Sequence, residues 1–205
     1  MERRWGSGNV SYSLRAAATQ GQRQALEAVR QYGRQRGVTV RIKEFPRGVS
    51  KNFTKLATVD RRENELYVRA YSRTHDGLWI ASEPVVKIRS DAEKMDIAHA
   101  IRCALENSKT GVDMPENWSA LVKPLLKAAG LRSAASFFRN AVSCHVEQNE
   151  GCIKLTPTEN DGKGYFEALV EHEIVITADC HADALADAVI KALDLCRIKE
   201  RRTRR

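Results

Sequence analysis

The sequence predicts an α+β fold: two tandem strand-rich units, each closed by an amphipathic helix, sharing a mostly antiparallel sheet. Three observations carry that expectation. Ser82–Ser108 aligns without a gap over Val170–Cys196, 88 residues later, with seven identities in 27 positions. In both copies an alternating apolar stretch gives way to a helical stripe. Asp-Gly turns join neighbouring strands, and tightly joined neighbours run antiparallel.

Taken from the start of the chain, residues 1–48 form a basic extension. Gln22–Arg36 reads as a helix with Leu26 and Val29 inward, and Val38, Val40 and Ile42 alternate as a strand before Pro46. Residues 49–197 form the α+β domain, with its repeat at 49–110 and 133–197, and residues 198–205 form a basic tail.

In the first repeat, Val86 and Ile88 mark one face of a strand, and Ile174 and Ile176 answer them in the second. Ile97, Ile101, Ala104 and Leu105 draw a helix stripe, answered by Leu185, Val189, Ala192 and Leu193. Asp91 and Asp179 stand where strand passes into helix, so each is expected to cap the helix that follows. Upstream the match continues with shifted offsets: Glu65-Leu66-Tyr67-Val68 against Cys152-Ile153-Lys154-Leu155, and Phe53, Lys55 and Ala57 against Phe137, Arg139 and Ala141. Such length differences belong in loops, where they are tolerated. Thr74-His75-Asp76-Gly77 and Glu159–Gly164 are the turn signals. Between the repeats, Trp118–Ala129 reads as a helix with Pro124 in its first turn and Gly130 as its C-cap.

Composition narrows the class. A chain of 205 residues can bury a real core, and Ile, Leu, Val and Phe make up about 22% of it. No apolar run approaches the roughly 18 residues of a membrane span. The start, Met1-Glu2-Arg3-Arg4-Trp5, lacks an apolar signal segment, and five cysteines without framework spacing point to free thiols. The expectation is a cytoplasmic protein. A collagen, a membrane protein and a disulfide knot are excluded.

The net charge of +8 is unevenly spread. Residues 1–48 hold ten Lys/Arg against three acids, and residues 197–205 hold six against one. The middle, 49–196, holds eighteen against twenty-two and is mildly acidic. A basic chain invites a nucleic-acid reading, with Arg23, Arg30, Arg34, Arg36 and the tail as phosphate contacts. That is the alternative function; the competing reading is a solvated end.

Catalytic and metal signatures are absent. Cys144-His145 and Cys180-His181 lack the spacing that lets two ligands reach one zinc ion, and adjacent strand residues face opposite ways. No Gly-x-Ser-x-Gly elbow or Walker A loop occurs. No catalytic residue, metal ligand or cofactor site is therefore assigned. Carboxylates stand out instead: Glu147, Glu150, Glu159, Asp161, Glu167, Glu171 and Glu173 gather in the strands and turns of the second unit. They are expected to offer an acidic surface to a basic protein partner, since complementary charge speeds association and confers selectivity.

Several stretches resemble contact-dependent growth inhibition immunity proteins. These are Trp79-Ile80-Ala81-Ser82-Glu83-Pro84, Ala104-Leu105-Glu106-Asn107-Ser108-Lys109-Thr110-Gly111 and Lys127-Ala128-Ala129-Gly130 followed by Ser133. Ser136-Phe137-Phe138 and Ile153-Lys154-Leu155-Thr156-Pro157 add to them, so the resemblance spans roughly 49–197. It implies a non-enzymatic cytoplasmic inhibitor that binds the C-terminal toxin domain delivered by a sibling cell, often a nuclease, and needs no cofactor and no membrane. It transfers no contact residue, because toxin-facing positions vary with the toxin. A basic overall charge departs from what a nuclease inhibitor implies.

Overall fold

A computed structural model describes residues 11–13, 41–43, 55–162 and 164–199. The chain divides into two compact units, Met1–Val49 and Ser50–Arg205. In the first, β1 (Ser11–Ser13) pairs in parallel with β2 (Arg41–Lys43). The helix expected over 22–36 and the end of the basic tail lie outside the described residues.

The second unit is built on one sheet. Its main strands are β3 (Lys55–Arg62), β4 (Glu65–Thr74), β5 (Trp79–Arg89), β7 (Val142–Gln148), β8 (Cys152–Asn160) and β10 (Ile174–Thr177), in the spatial order β10-β8-β7-β3-β4-β5. Every neighbouring pair along that path is antiparallel. Three short strands flank it: β6 (Thr110–Val112) parallel to β4, β9 (Phe166–Ala168) antiparallel to β8, and β11 (Arg197–Ile198) parallel to β8. The helices are α1 (Lys94–Glu106), α2 (Lys123–Ala129), α3 (Ala134–Phe138) and α4 (Ala182–Leu195). The α+β class with a mostly antiparallel sheet is the one the sequence predicts. No helix among the described residues is long and apolar enough to cross a membrane.

α1 and α4 lie against the same sheet face. Buried in α1 are Ile97, Ala98, Ala100, Ile101, Ala104 and Leu105; buried in α4 are Leu185, Ala186, Ala188, Val189, Ala192 and Leu193. Each member of the second set stands 88 residues after its counterpart. Alternate strand positions meet them: Ala57, Val59, Leu66, Val68, Cys144, Val146, Ile153 and Leu155 join the same core cluster. Burying one such Leu or Ile contributes about 1.5–3 kcal/mol. Alanines at 98, 104, 186 and 192 are buried in this cluster and add little side-chain bulk between helix and sheet. Lys94 of α1 reaches Asp187 of α4 at 2.7 Å, and Arg61 of β3 reaches Asp194 at 2.7 Å.

The expected caps are not Asp91 and Asp179. The residues before α1 and α4 are Glu93 and His181, neither with a side-chain capping bond. The turn after the strand runs two residues further than the sequence suggests, which leaves each Asp too far from the first helical amides to accept from them. Asp91 is held by Arg89 instead, at 2.7 Å from its Nε. Between the repeats the helix is split. A 3-10 turn spans Trp118–Val122, then α2 begins with Pro124 in its first turn and ends at Gly130, whose φ of 65° suits a residue without Cβ. α2 and α3 cover part of the opposite sheet face through Leu125 and Phe137, packed with Tyr67 and Ala141.

Candidate functional site

Strand alternation that sends apolar side chains towards α1 and α4 sends a polar set to the other face. Directly paired residues share a face, so the register draws rows across the sheet. One row runs Arg69, Thr58, His145, Thr156 across β4, β3, β7 and β8. The next runs Tyr71, Leu56, Glu147, Lys154, Val175 and ends on β10. A third brings Tyr67, Asp60 and Ser143 together.

Thr58, Asp60, Arg69, Ser143, Glu147, Lys154 and Thr156 are buried, where water screens them little, and His145 is half-buried among them. Asp60 is fully buried and accepts from Arg69 Nε at 2.9 Å and Nη2 at 2.6 Å. The Arg69 guanidinium also lies 5.6 Å from the Tyr71 ring centre and 5.9 Å from that of Phe138. Such stacking suits a planar, weakly hydrated cation. Lys154 bridges two acids, with Glu147 at 2.8 Å and Glu173 at 3.2 Å, and the Thr156 hydroxyl donates to Glu173 at 3.2 Å. The Thr158 hydroxyl donates to the Ser143 carbonyl at 2.5 Å. Among the described residues, Thr58 Oγ1 and Asp60 Oδ1 are buried without a hydrogen-bond partner.

Burial sets the ionisation here. It pushes His145 down to about 4, with Asp60 opposing, so the imidazole is neutral at pH 7. It pushes the Glu147 carboxyl up, against the pull of Lys154. Burial also works against the Lys154 charge, but Glu147 and Glu173 outweigh it and its pKa rises. The face is thus a fixed pattern of charge held in low dielectric.

The seven acids singled out by sequence differ in their local partners and exposure. Glu147 and Glu173 turn to Lys154. Glu159 pairs across β8 and β9 with Glu167 and across β8 and β11 with Arg197, and Lys199 Nζ approaches it at 3.8 Å. Asp161 accepts from the Tyr165 amide at 3.1 Å inside its own turn. Glu150, Glu167 and Glu171 are exposed. The structure also assembles what sequence reasoning passed over: Asp60, Arg69, His145 and Lys154. In one sequence, polar residues alternating with apolar ones read as a solvated strand face, and nothing marks a face that is buried.

Cys144 packs in the core while His145 takes the opposite face, so the pair cannot share an ion. Among the described residues no three His, Cys, Asp or Glu side chains are grouped to hold a metal.

Comparison with known proteins finds a family and solved structures of similar fold. A family model described as CDI immunity protein matches residues 55–196. A protein of unknown function from Neisseria meningitidis superposes with a TM-score of 0.61 at 19% identity, covering 73% of this chain and all of that one. A toxin and immunity complex, CdiA-CT/CdiI, from Yersinia pseudotuberculosis contains a chain that superposes with a TM-score of 0.60 at 16% identity, covering 69% of this chain and 97% of that one. No curated protein matches this sequence.

Proposed function

The chain belongs to the CDI immunity protein family, and from that premise we propose that it neutralises one cognate toxin, a nuclease, by occupying the toxin's C-terminal domain in the cytoplasm. The observation that carries this reading is the family match over residues 55–196, which takes in both faces of the sheet. The Yersinia structure, a toxin and immunity complex, supports a protein partner. A single interface of about 1,600 Å², dominated by a few buried anchors, supplies the affinity such a task requires.

The chain acts as a stoichiometric plug, not a catalyst. Exposed Glu150, Glu167 and Glu171 face the basic surface by which a nuclease grips its substrate, and they steer its approach. Glu159 and Asp161 border that region; Glu147 and Glu173 hold Lys154 and shape the sheet beneath. The halves 49–110 and 133–197 are copies of one ancestral unit, which the matched buried positions of α1 and α4 support.

Co-expression with a candidate cognate toxin domain tests the reading. Cells making the toxin should survive only with this chain, and the two should co-purify one to one. Survival without any complex, or a complex that leaves the toxin active, would overturn it. Glu167→Lys with Glu171→Lys should slow association at low salt and change little at high salt.

A further inference from the structure

The outer stripe of α1 carries chemistry that the immunity reading does not use. Asp96, His99 and Cys103 are spaced three and four apart, so they share one helix face. Cys103 Sγ lies 3.5 Å from His99 Nε2 and 4.0 Å from Nδ1. Both side chains open onto a cavity of about 680 Å³ between α1 and the outer edge of β5. Val86, Ile88 and Ala100 give that cavity an apolar floor, while Asp91 and Asp96 stand at its rim with Arg89.

Cys152 is half-buried like Cys103 but, among the described residues, has no imidazole bonded to it, and two of the remaining thiols are withdrawn from solvent. Cys144 is fully buried, and the Cys196 thiol donates to the carbonyls of Ser143 and Ala192. Burial pushes both of their pKa values up, which leaves them inert. Cys180 lies near the Arg102 guanidinium at 3.8 Å. Among the described residues, no other thiol is bonded to an imidazole.

We propose that Cys103 is a thiol–disulfide exchange site for small cationic disulfides, with His99 as its base. The charge of the rim sets the ligand class. Arg89 is taken up by Asp91, with which it forms two hydrogen bonds, so Asp96 leaves the cavity mouth net negative. The step balances within its reactants. His99 Nε2 takes the Cys103 proton, and the thiolate attacks one sulfur of the disulfide. The ligand's S–S bond breaks as the Cys103–S bond forms, and the departing thiolate recovers the proton from His99. Cys103 is oxidised and the departing half is reduced. A cavity next to the thiol holds the half that stays.

Cystamine is the probe, applied to the full chain and read by intact mass and peptide mapping. The first equivalent should add to Cys103 and come off with dithiothreitol. Cys103→Ser should abolish the fast addition. His99→Gln should slow it about tenfold or more while circular dichroism stays unchanged. Cystamine should outpace the dianionic 5,5′-dithiobis(2-nitrobenzoate), and salt should narrow the gap. First addition at Cys152 or Cys180, an unchanged rate in His99→Gln, or a preference for the dianion would overturn the proposal. None of these readouts involves the toxin, so the proposal stands or falls apart from the immunity reading.

Discussion

Arg69 on β4 clamps a single oxygen of Asp60 on β3 from two of its nitrogens, at 2.9 and 2.6 Å, inside the sheet's polar face. Both side chains are at least nine-tenths buried. Breaking such a pair costs more than never having had it, because the survivor keeps its charge and loses its carboxylate. Asp60→Ala should therefore destabilise by about 3–5 kcal/mol in urea unfolding. The double variant Asp60→Leu with Arg69→Met should recover most of that loss. A single variant within 1 kcal/mol of wild type would refute the cost of this burial.

Lys154 holds two acids, and its removal should give a loss that depends on pH. Lys154→Met leaves Glu147 buried without its cation. Its carboxyl pKa, already raised by burial, rises further. A carboxyl with a raised folded pKa binds its proton more tightly in the native state. Its contribution is favourable at low pH and is lost as pH climbs from the ordinary 4.5 through the folded value. The variant should lose about 3–5 kcal/mol at pH 7 and much less at pH 5. Equal deficits at both would count against the ionised Glu147.

His145 predicts the opposite slope. Its folded pKa of about 4 lies below the ordinary 6.5, so between those values the unfolded chain binds more protons. Stability is intact above pH 6.5 and falls as pH drops towards 4. At about 1.4 kcal/mol per unit the loss reaches about 3 kcal/mol. Unfolding midpoints of His145→Gln measured from pH 7 to 4.5 should lack this slope; a variant that tracks wild type would sink the assignment.

Leu105 and Leu193 hold equivalent places on α1 and α4, and each is buried to within 1%. Replacing either with Ala should cost about 2–5 kcal/mol through lost contacts and a cavity. Both side chains belong to the same core cluster, so both losses should fall in that range. A large disparity would mean that one helix packs loosely in solution.

The fold was largely legible because its signals are local. Val86 with Ile88 and Ile174 with Ile176 betray strand faces by alternation, and the α1 and α4 stripes betray helices by a period near four. Gly130 and Pro124 mark the limits of α2 by their backbone chemistry alone. The caps are misread because a two-residue change in turn length leaves no local trace: Asp91 accepts from the Arg89 guanidinium and not from a helix amide. The polar face was hidden for a different reason. Thr58, Asp60, His145 and Lys154 are drawn together by pairing among β3, β7 and β8, which lie up to about a hundred positions apart. His99 and Cys103 carry no sequence signature of their own, and only the cavity beside them gives the pair meaning.

β3 and β7 run as one seven-pair ladder through the middle of the sheet, and Arg61 ties β3 to α4 beyond it. Cutting the chain between α1 and α2 should not release two independent proteins. Each piece carries half a slab with an open edge and a greasy underside. Mixed in equal amounts, the fragments should find each other and reconstitute the whole, which size-exclusion chromatography would register as one particle in place of two aggregates.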